Sequence, residues 1–454
     1  MPVLFVGVFM AALDTAVVGP AIPALRAAFG VDNREVGLVM SVFVLFSLCS
    51  TAVLTNLSDH YGRRPVYLAS VALFALGSLG IAASPHFWML IASRAVQGIG
   101  AGGITPTASA VVGDAFPPEA RGRALGLIGA TYGMAFVLGP PLAALLMMIL
   151  SWHWIFLINL PIAAVVLAMG ARVLPRRPPG ALPVAPRLDA AGICVTFLLL
   201  CAFVFGITRF VDGLVGAVLW PWFFGAVIVL CALLVAVERR ATQPLIPLSL
   251  FANRQLSLAY LLAVGAGFGM GSVIFLTSIA TLAYAVAAKN AGFVLLPLVV
   301  FSMLGSMGAG RLLNRIGARG LLLIGFTTMG AGYGATAICT YGLWAFLAAS
   351  MPVGLGVGIV VGGALRSIAI DEAPAALRGS AQGLINICTA IGTLLSAAAI
   401  SAIADFSGGG AAGFAVAYKG VAALMLLLLF AALGLRNERV GARAAFIAPG
   451  RSTD

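Results

Sequence analysis

Residues 94–161 read RAVQGIGAGGITPTASAVVGDAFPPEARGRALGLIGATYGMAFVLGPPLAALLMMILSWHWIFLINLP. Two apolar segments, each long enough to cross a bilayer, flank one short charged loop from Asp114 to Arg123. The first segment holds Arg94 and Gln97 at helical spacing within otherwise apolar sequence. The second holds Gly139-Pro140-Pro141, which removes backbone donors and is expected to kink its helix. An ionisable group in hydrocarbon costs about 3 kcal/mol on insertion scales, so where one occurs it usually serves something. The stretch predicts an all-α polytopic membrane protein.

Working outward, the 454-residue chain is 62% hydrophobic and only 9% charged, with a mean hydropathy of +1.11. A surface of that composition must face lipid for the most part. The net charge of +12 does not argue for nucleic acid, because the basic residues stand singly or in pairs between apolar runs. Arginine accounts for all but two of the 26 basic residues, the bias of a GC-rich bacterial genome. The six cysteines lie inside apolar runs without a CxxC pair, and read as free packing thiols. His60, His86 and His153 are too scattered to argue a metal site, and no cofactor motif is visible. Gly98-x-Gly100-x-x-Gly103 matches a dinucleotide fingerprint only formally, since no strand precedes it. The first apolar run starts almost at Met1 and leads into Asp14, so no cleavable signal is expected, and a polar leader is expected to be missing.

Fourteen apolar runs of membrane-spanning length follow one another, from 3–25 to 413–435. With the N-terminus inside, the cytoplasmic segments collect Arg63, Arg64, Arg121, Arg123, Arg239, Arg240, Arg366 and Arg378 among others. The outer loops then hold only Arg26, Arg34, Arg209 and Lys289. This asymmetry predicts both termini in the cytoplasm of a bacterium, with the chain in its inner membrane. All six tryptophans fall at outer ends of spans, as an interfacial belt would.

The chain also repeats itself. Asp114-x-x-Pro117-x-x-x-Arg121-Gly122-x-Ala124-x-Gly126-Leu127 returns as Asp371-x-x-Pro374-x-x-x-Arg378-Gly379-x-Ala381-x-Gly383-Leu384. The turn Leu57-x-Asp59-x-Tyr61-Gly62-x-Arg64 returns as Leu312-x-Asn314-x-Ile316-Gly317-x-Arg319. Two copies of a six-helix unit are predicted, residues 1–174 and 254–435, with a linker and two inserted helices in 175–253 and a tail in 436–454. The inserted pair is expected to be peripheral to transport. Gly98, Gly100 and Gly102 recur as Gly354, Gly356 and Gly358, which suits close helix packing. Arg94 and Gln97 map instead onto Ser350 and Val353, and Asp14 maps near Met270, so symmetry does not account for the polar groups.

These pieces resemble the major facilitator superfamily, and within it the fourteen-spanner drug:proton antiporters. The resemblance rests on Leu13-Asp14-Thr15, Leu57-Ser58-Asp59-His60-Tyr61-Gly62-Arg63-Arg64, Arg94-Ala95-Val96-Gln97-Gly98, Gly139-Pro140-Pro141 and the run from Trp152 to Pro161. It implies the fold of that family, with Gly139, Pro140 and Pro141 as its antiporter motif. The chain departs from the pattern at Thr55, His60, Ala143-Ala144 and His153, and it lacks the Pro and Gln expected within Phe275–Thr281.

Asp14 is the one acid deep in a span, and a carboxyl held there is expected to load and release protons. Arg94 and Gln97 share a helix face and either exchange charge with Asp14, line a cavity, or tie helices together. Asp59, Gly62, Arg63 and Arg64, with Asp114 and Arg121, are expected to form a gate at the inner face, besides setting topology. Gln382, Asn386, Thr389 and Thr393 make one polar stripe that faces a cavity or another helix. Met134, Phe136 and Phe268 are candidate cavity walls. The expected activity is proton-coupled export of small amphipathic compounds, without enzymatic chemistry or cofactor, by a monomer in the bilayer. Export of one metabolite or siderophore is the alternative, and a non-transporting scaffold or sensor is the rival from another class.

Overall fold

The computed structural model of the chain describes residues 2–31, 33–174, 189–211, 220–241, 244, 246–286, 293–338 and 342–436. Seventeen α-helices form among them and account for nearly all of the ordered backbone. Helices satisfy every backbone donor within the segment, which is what a lipid environment demands. The first seven are α1 (Pro2–Phe29), α2 (Asn33–Tyr61), α3 (Arg63–Ala82), α4 (Phe87–Ala115), α5 (Pro118–Ile149), α6 (His153–Leu157) and α7 (Asn159–Val173). Then come α8 (Ala190–Val211), α9 (Trp220–Arg240), α10 (Ser249–Ala252), α11 (Arg254–Ser272), α12 (Leu276–Tyr284) and α13 (Leu296–Ile338). The last are α14 (Leu343–Ile359), α15 (Leu365–Glu372), α16 (Arg378–Phe406) and α17 (Gly410–Leu433).

Nine helical stretches among the described residues are long and apolar enough to cross a membrane, and the apolar helices Pro2–Val18 and Ala191–Phe203 are shorter. Leu76, Ile149, Ile228, Ile338, Leu427 and Phe430 are exposed, an apolar exterior that suits lipid rather than water. The protein is an integral membrane protein. Most of the linker, residues 175–188, the tail from residue 437 and Cys339 lie outside the described residues, as do Lys289 and the side chains of Arg34 and Arg209.

The sequence repeat is a repeat of contacts. A Cβ on Gly98 would lie 2.6 Å from the Phe43 carbonyl, and one on Gly354 would lie 1.9 Å from that of Leu298. Gly102 abuts the Ser47 carbonyl in the same way that Gly358 abuts that of Ser302, at 2.3 and 1.9 Å. Gly100 meets the Phe74 amide as Gly356 meets that of Met329, at 2.4 and 2.7 Å. So α4 is pressed backbone to backbone between α2 and α3, and α14 between the two arms of α13. The arms of α13 meet at Gly317, whose φ of 74° and ψ of 169° break the helix. Gly62, one repeat earlier, adopts φ 100° and ψ 158° between α2 and α3. Both sites need a positive φ, which glycine supplies without steric cost.

Residues of α10–α17 build one large apolar core, and those of α1–α7 build two smaller ones, one of them joined by Ile370 of α15. Helix α8 lies against both α2 and α16, with Leu48, Ala52, Leu200 and Ile387 in one cluster and Phe46 edge-on to Phe197. Helix α8 thus rests on the seam between the two groups, and α9 packs on α8. Helix α5 continues through Gly139-Pro140-Pro141 as one element, with Gly139 packed on Ala16. The side chains of Pro140 and Pro141 lie outside the described residues.

Candidate functional site

Five segments converge on Asp14, which has no exposed surface. Its Oδ2 accepts from Arg94 Nη1 at 2.8 Å, and its Oδ1 accepts from Gln97 Nε2 and Asn159 Nδ2, each at 2.9 Å. Ser78 Oγ accepts from the same two amides, at 2.8 and 3.3 Å. Arg94 also donates to Gln97 Oε1 and, from Nε, to the Val39 carbonyl at 3.2 Å. Its guanidinium lies between the rings of Phe43 and Phe156, at 4.6 and 5.5 Å from their centroids. Arg94, Gln97 and Asn159 are fully buried as well. A charge pair so placed is held by its satisfied hydrogen bonds, and removing one partner strands the other.

A second cluster bridges the two helix groups at the end of the bundle that carries the α2–α3 turn. Asp59, at 2% side-chain exposure, accepts from the Gly379 and Ser380 amides at 2.9 Å each and from Ser380 Oγ at 2.8 Å. It also pairs with Arg63. Arg63 Nε reaches Asp114 Oδ2 at 2.9 Å, and Asp114 Oδ1 accepts from Arg378 Nη1 at 3.0 Å. Arg121 faces Asp371 at 3.6 Å. Asp114 with Arg378 and Asp371 with Arg121 are one interaction made twice, each residue exchanged for its counterpart 257 positions away. Glycine at 379 lets Asp59 approach this closely, since a Cβ would lie 2.6 Å from Asp59 Oδ1 and push its carboxylate off the amides. Gly62 makes the turn, and Arg64 is engaged elsewhere, donating to the Ala171 carbonyl.

Between the groups lies a cavity of about 310 Å³. Its wall takes Val44, Ser47, Leu48 and Thr51 from α2, Ala101, Gly102 and Thr105 from α4, and Met270 from α11. The rest comes from Val361, Leu365 and Arg366 and from Ile385, Asn386, Thr389, Ala390, Thr393 and Leu394 of α16. The π-helical turn Val360–Ala364 leads directly into this wall, as such turns often do at functional sites.

Residues 4–397 match the Major Facilitator Superfamily. The chain is a member of it. Its fold agrees with solved structures of the superfamily. The human organic anion transporter MFSD10 (TETRAN) superposes with a TM-score of 0.70 at 19% identity, covering 95% of this chain and 98% of that one. The proton:xylose symporter XylE superposes at 0.67 and 15% identity, covering 97% of each. Among sequence relatives, the MFS-type transporter YfiU of Bacillus subtilis (strain 168) is 33% identical over 86% of this chain and 76% of its own length. Multidrug resistance protein 3 of the same organism is 31% identical over 71% of this chain and 62% of its own. As a superfamily member the protein is a transporter, of a family of carriers rather than enzymes.

Of the residues singled out from sequence, Asp14, Arg94 and Gln97 meet in one cluster, Asp59, Arg63 and Asp114 meet in the other, and Arg121 pairs separately with Asp371. Asn386, Thr389 and Thr393 line the cavity, whereas Gln382 is buried beside it and donates to the Arg366 carbonyl at 2.7 Å. Met134 and Phe268 are not in the wall, and Phe268 packs on the α10–α17 core instead. The side chain of Phe136 lies outside the described residues. Arg366, counted from sequence among the loop arginines, is 5% exposed and lines the cavity. Its position at the end of the apolar run 343–368 makes it read as topogenic. Asn159 and Ser78 were not singled out; Asn159 lay within a quoted motif, but neither carries a charge to mark it.

Proposed function

We propose that the protein exports small amphipathic compounds in exchange for protons, by alternating access about the seam between its two helix groups. The observation that carries the reading is the Asp14–Arg94 pair, buried among α1, α2, α3, α4, α6 and α7 and absent from the equivalent positions of the second repeat. Structural symmetry does not call for such a pair, and a titratable group inside a membrane bundle is the usual element of a proton relay. Two relatives in Bacillus subtilis, Multidrug resistance protein 3 and Multidrug transporter protein MdtP, are named for drug transport and so support the export direction.

In this reading residues 1–174 and 254–435 are the two moving halves, the chain crosses the inner membrane fourteen times, and both termini are cytoplasmic. The Asp59–Arg63–Asp114–Arg378 cluster closes the inner end, and its release opens the cavity to the cytoplasm. Asp14 and the cavity do not touch the same ligand. They communicate through α2 and α4, each of which contributes to both. The test is substrate-driven proton release from vesicles holding the purified protein, across a panel of amphipathic compounds. A protein that moves none of them against a proton gradient would end the proposal.

A further inference from the structure

We infer that Asn159 reads the proton on Asp14: its side-chain amide turns over, giving a hydrogen bond to the carboxylate and taking one from the carboxylic acid. This rests on the reading that Asp14 carries the exchanged proton. Two amides touch Asp14, and they are held differently. Gln97 is pinned at both ends: Nε2 donates to Asp14 Oδ1 and Ser78 Oγ, at 2.9 and 2.8 Å, and Oε1 accepts from Arg94. Asn159 is pinned at one end only. Its Nδ2 donates to the same two oxygens, at 2.9 and 3.3 Å, while Oδ1 is buried and has no hydrogen-bond partner among the described residues. The residue has no exposed surface, and buried polar atoms are nearly always paired, so this oxygen calls for a reason.

A count of donors and acceptors supplies the reason. As an ion, Asp14 accepts N–H bonds from Arg94, Gln97 and Asn159. As an acid it has one O–H to give, and that proton needs an acceptor. Gln97 Oε1 is taken by Arg94. Ser78 Oγ spends its own proton on the Phe74 carbonyl at 3.0 Å and its lone pairs on the two amides. Among these neighbours that leaves Asn159 Oδ1. A half-turn about the last side-chain torsion brings Oδ1 round to Asp14. That torsion is broad and roughly two-fold in asparagine, and the ends of the amide are so alike in shape that the turn needs no extra room. The turn moves Nδ2 to where Oδ1 now lies, so one polar group of Asn159 goes unmet with either form of Asp14. An unturned amide would instead face the acid with N–H against O–H. Arg94 of α4 is the charged group paired with Asp14, and Gln97 of α4, Ser78 of α3 and Asn159 of α7 are neutral. The turn also gives up the bond from Asn159 to Ser78, so the proton on α1 is felt between α7 and α3.

The test is infrared difference spectroscopy between alkaline and acidic pH, on the purified full-length protein in lipid vesicles, with asparagine isotope-labelled at its side-chain amide. Acidification is expected to raise a carboxyl band that Asp14→Asn removes. A labelled amide band should shift with the same midpoint, and that shift should vanish in Asp14→Asn and in Asn159→Leu. In Asn159→Leu the carboxyl band should remain but move to higher frequency, as for an acid whose O–H has lost its acceptor. Proton-coupled exchange by that variant should slow about tenfold, the size of a hydrogen bond to a charged group, with substrate affinity unchanged. Asn159→Ser, whose hydroxyl can give or take a proton, should recover part of the rate, and it serves for the assignment if the leucine variant does not fold. A labelled amide band that stays still while the carboxyl band appears overturns the inference, and so does native-rate exchange in Asn159→Leu. Substrate-driven proton release measured in parallel keeps the two claims apart. Release with a carboxyl band but no amide shift removes the role of Asn159 and leaves the exporter reading standing. An amide shift coupled to the carboxyl band, without release, does the reverse.

Discussion

Ser380 meets Asp59 twice across 321 residues of chain, its amide and its hydroxyl both donating to Oδ2 at 2.9 and 2.8 Å. Leu377, the residue before α16, supplies no side-chain cap of its own. The first turn of α16 therefore takes its cap from the other half of the molecule, together with a negative charge at the positive end of the helix dipole. Asp59→Asn keeps the shape and removes the charge that Arg63 also uses. Stranding a partner in such a buried pair costs up to about 3 kcal/mol, and only the clasped conformation suffers it. The expected outcome is transport slowed severalfold or more with substrate affinity near normal. Turnover and equilibrium binding measured side by side decide it, and an equal loss in both would assign Asp59 to the binding site.

Asp14→Asn is expected to abolish proton exchange while the protein still inserts and folds. Arg94 would then sit buried without its carboxylate, so thermal stability should fall by an amount on the order of 3 kcal/mol. Adding Arg94→Gln removes the stranded charge and should restore much of the stability without restoring coupling, since residues in one network do not act additively. Full substrate-driven proton exchange in vesicles of the single variant would contradict the proton role.

The pair Asp114–Arg378 is partly exposed, with side chains 35% and 21% accessible, and is worth about 1 kcal/mol or less. Reversing Asp114 alone, as Asp114→Arg, should slow transport, and adding Arg378→Asp should recover part of the rate. Recovery stays incomplete because Arg63 Nε also bonds Asp114 and would face a like charge. Initial rates in vesicles are the measure; a double variant no faster than the single one rules out a direct pairing.

Gly358→Ala would drive a methyl group to 1.9 Å from the Ser302 carbonyl, and backbone cannot yield as a side chain can. A loss of about 1–3 kcal/mol is expected, the range for overpacking, seen as lower thermal stability in detergent. Gly420→Ala, whose nearest neighbour would be Ile403 at 4.0 Å, is the matched control and should change little.

The glycine contacts and the shared backbone of Gly62 and Gly317 were legible in sequence because a duplicated backbone repeats its steric needs at a fixed offset. The Asp14 cluster was legible in part. Charges in apolar sequence mark Asp14 and Arg94, but Asn159 and Ser78 are ordinary residues until the helices assemble. Arg366 was misplaced for a related reason. Hydropathy places Arg366 at the end of the run 343–368 but cannot see that the π-helical turn and α15 set it in the wall. The cavity residues Met134 and Phe268 were chosen by chemical type, and a helix's register toward a seam is not contained in type.

Helix α4 carries Arg94 and Gln97 at one level and Ala101, Gly102 and Thr105 at another, with Thr105 some 16 Å further along at 1.5 Å per residue. Between those levels Gly98 and Gly100 lie directly on the main chain of α2 and α3, and Gly102 also abuts the Ser47 carbonyl. A soft interface would absorb a small push at the proton-bearing end by rotamer changes. Where backbone meets backbone, at Gly98 and Gly100, there are no rotamers to change, and the helix is suited to act as a connecting rod. A small displacement at Arg94 would then be carried along the helix toward Thr105, and a push from the cavity would travel the other way.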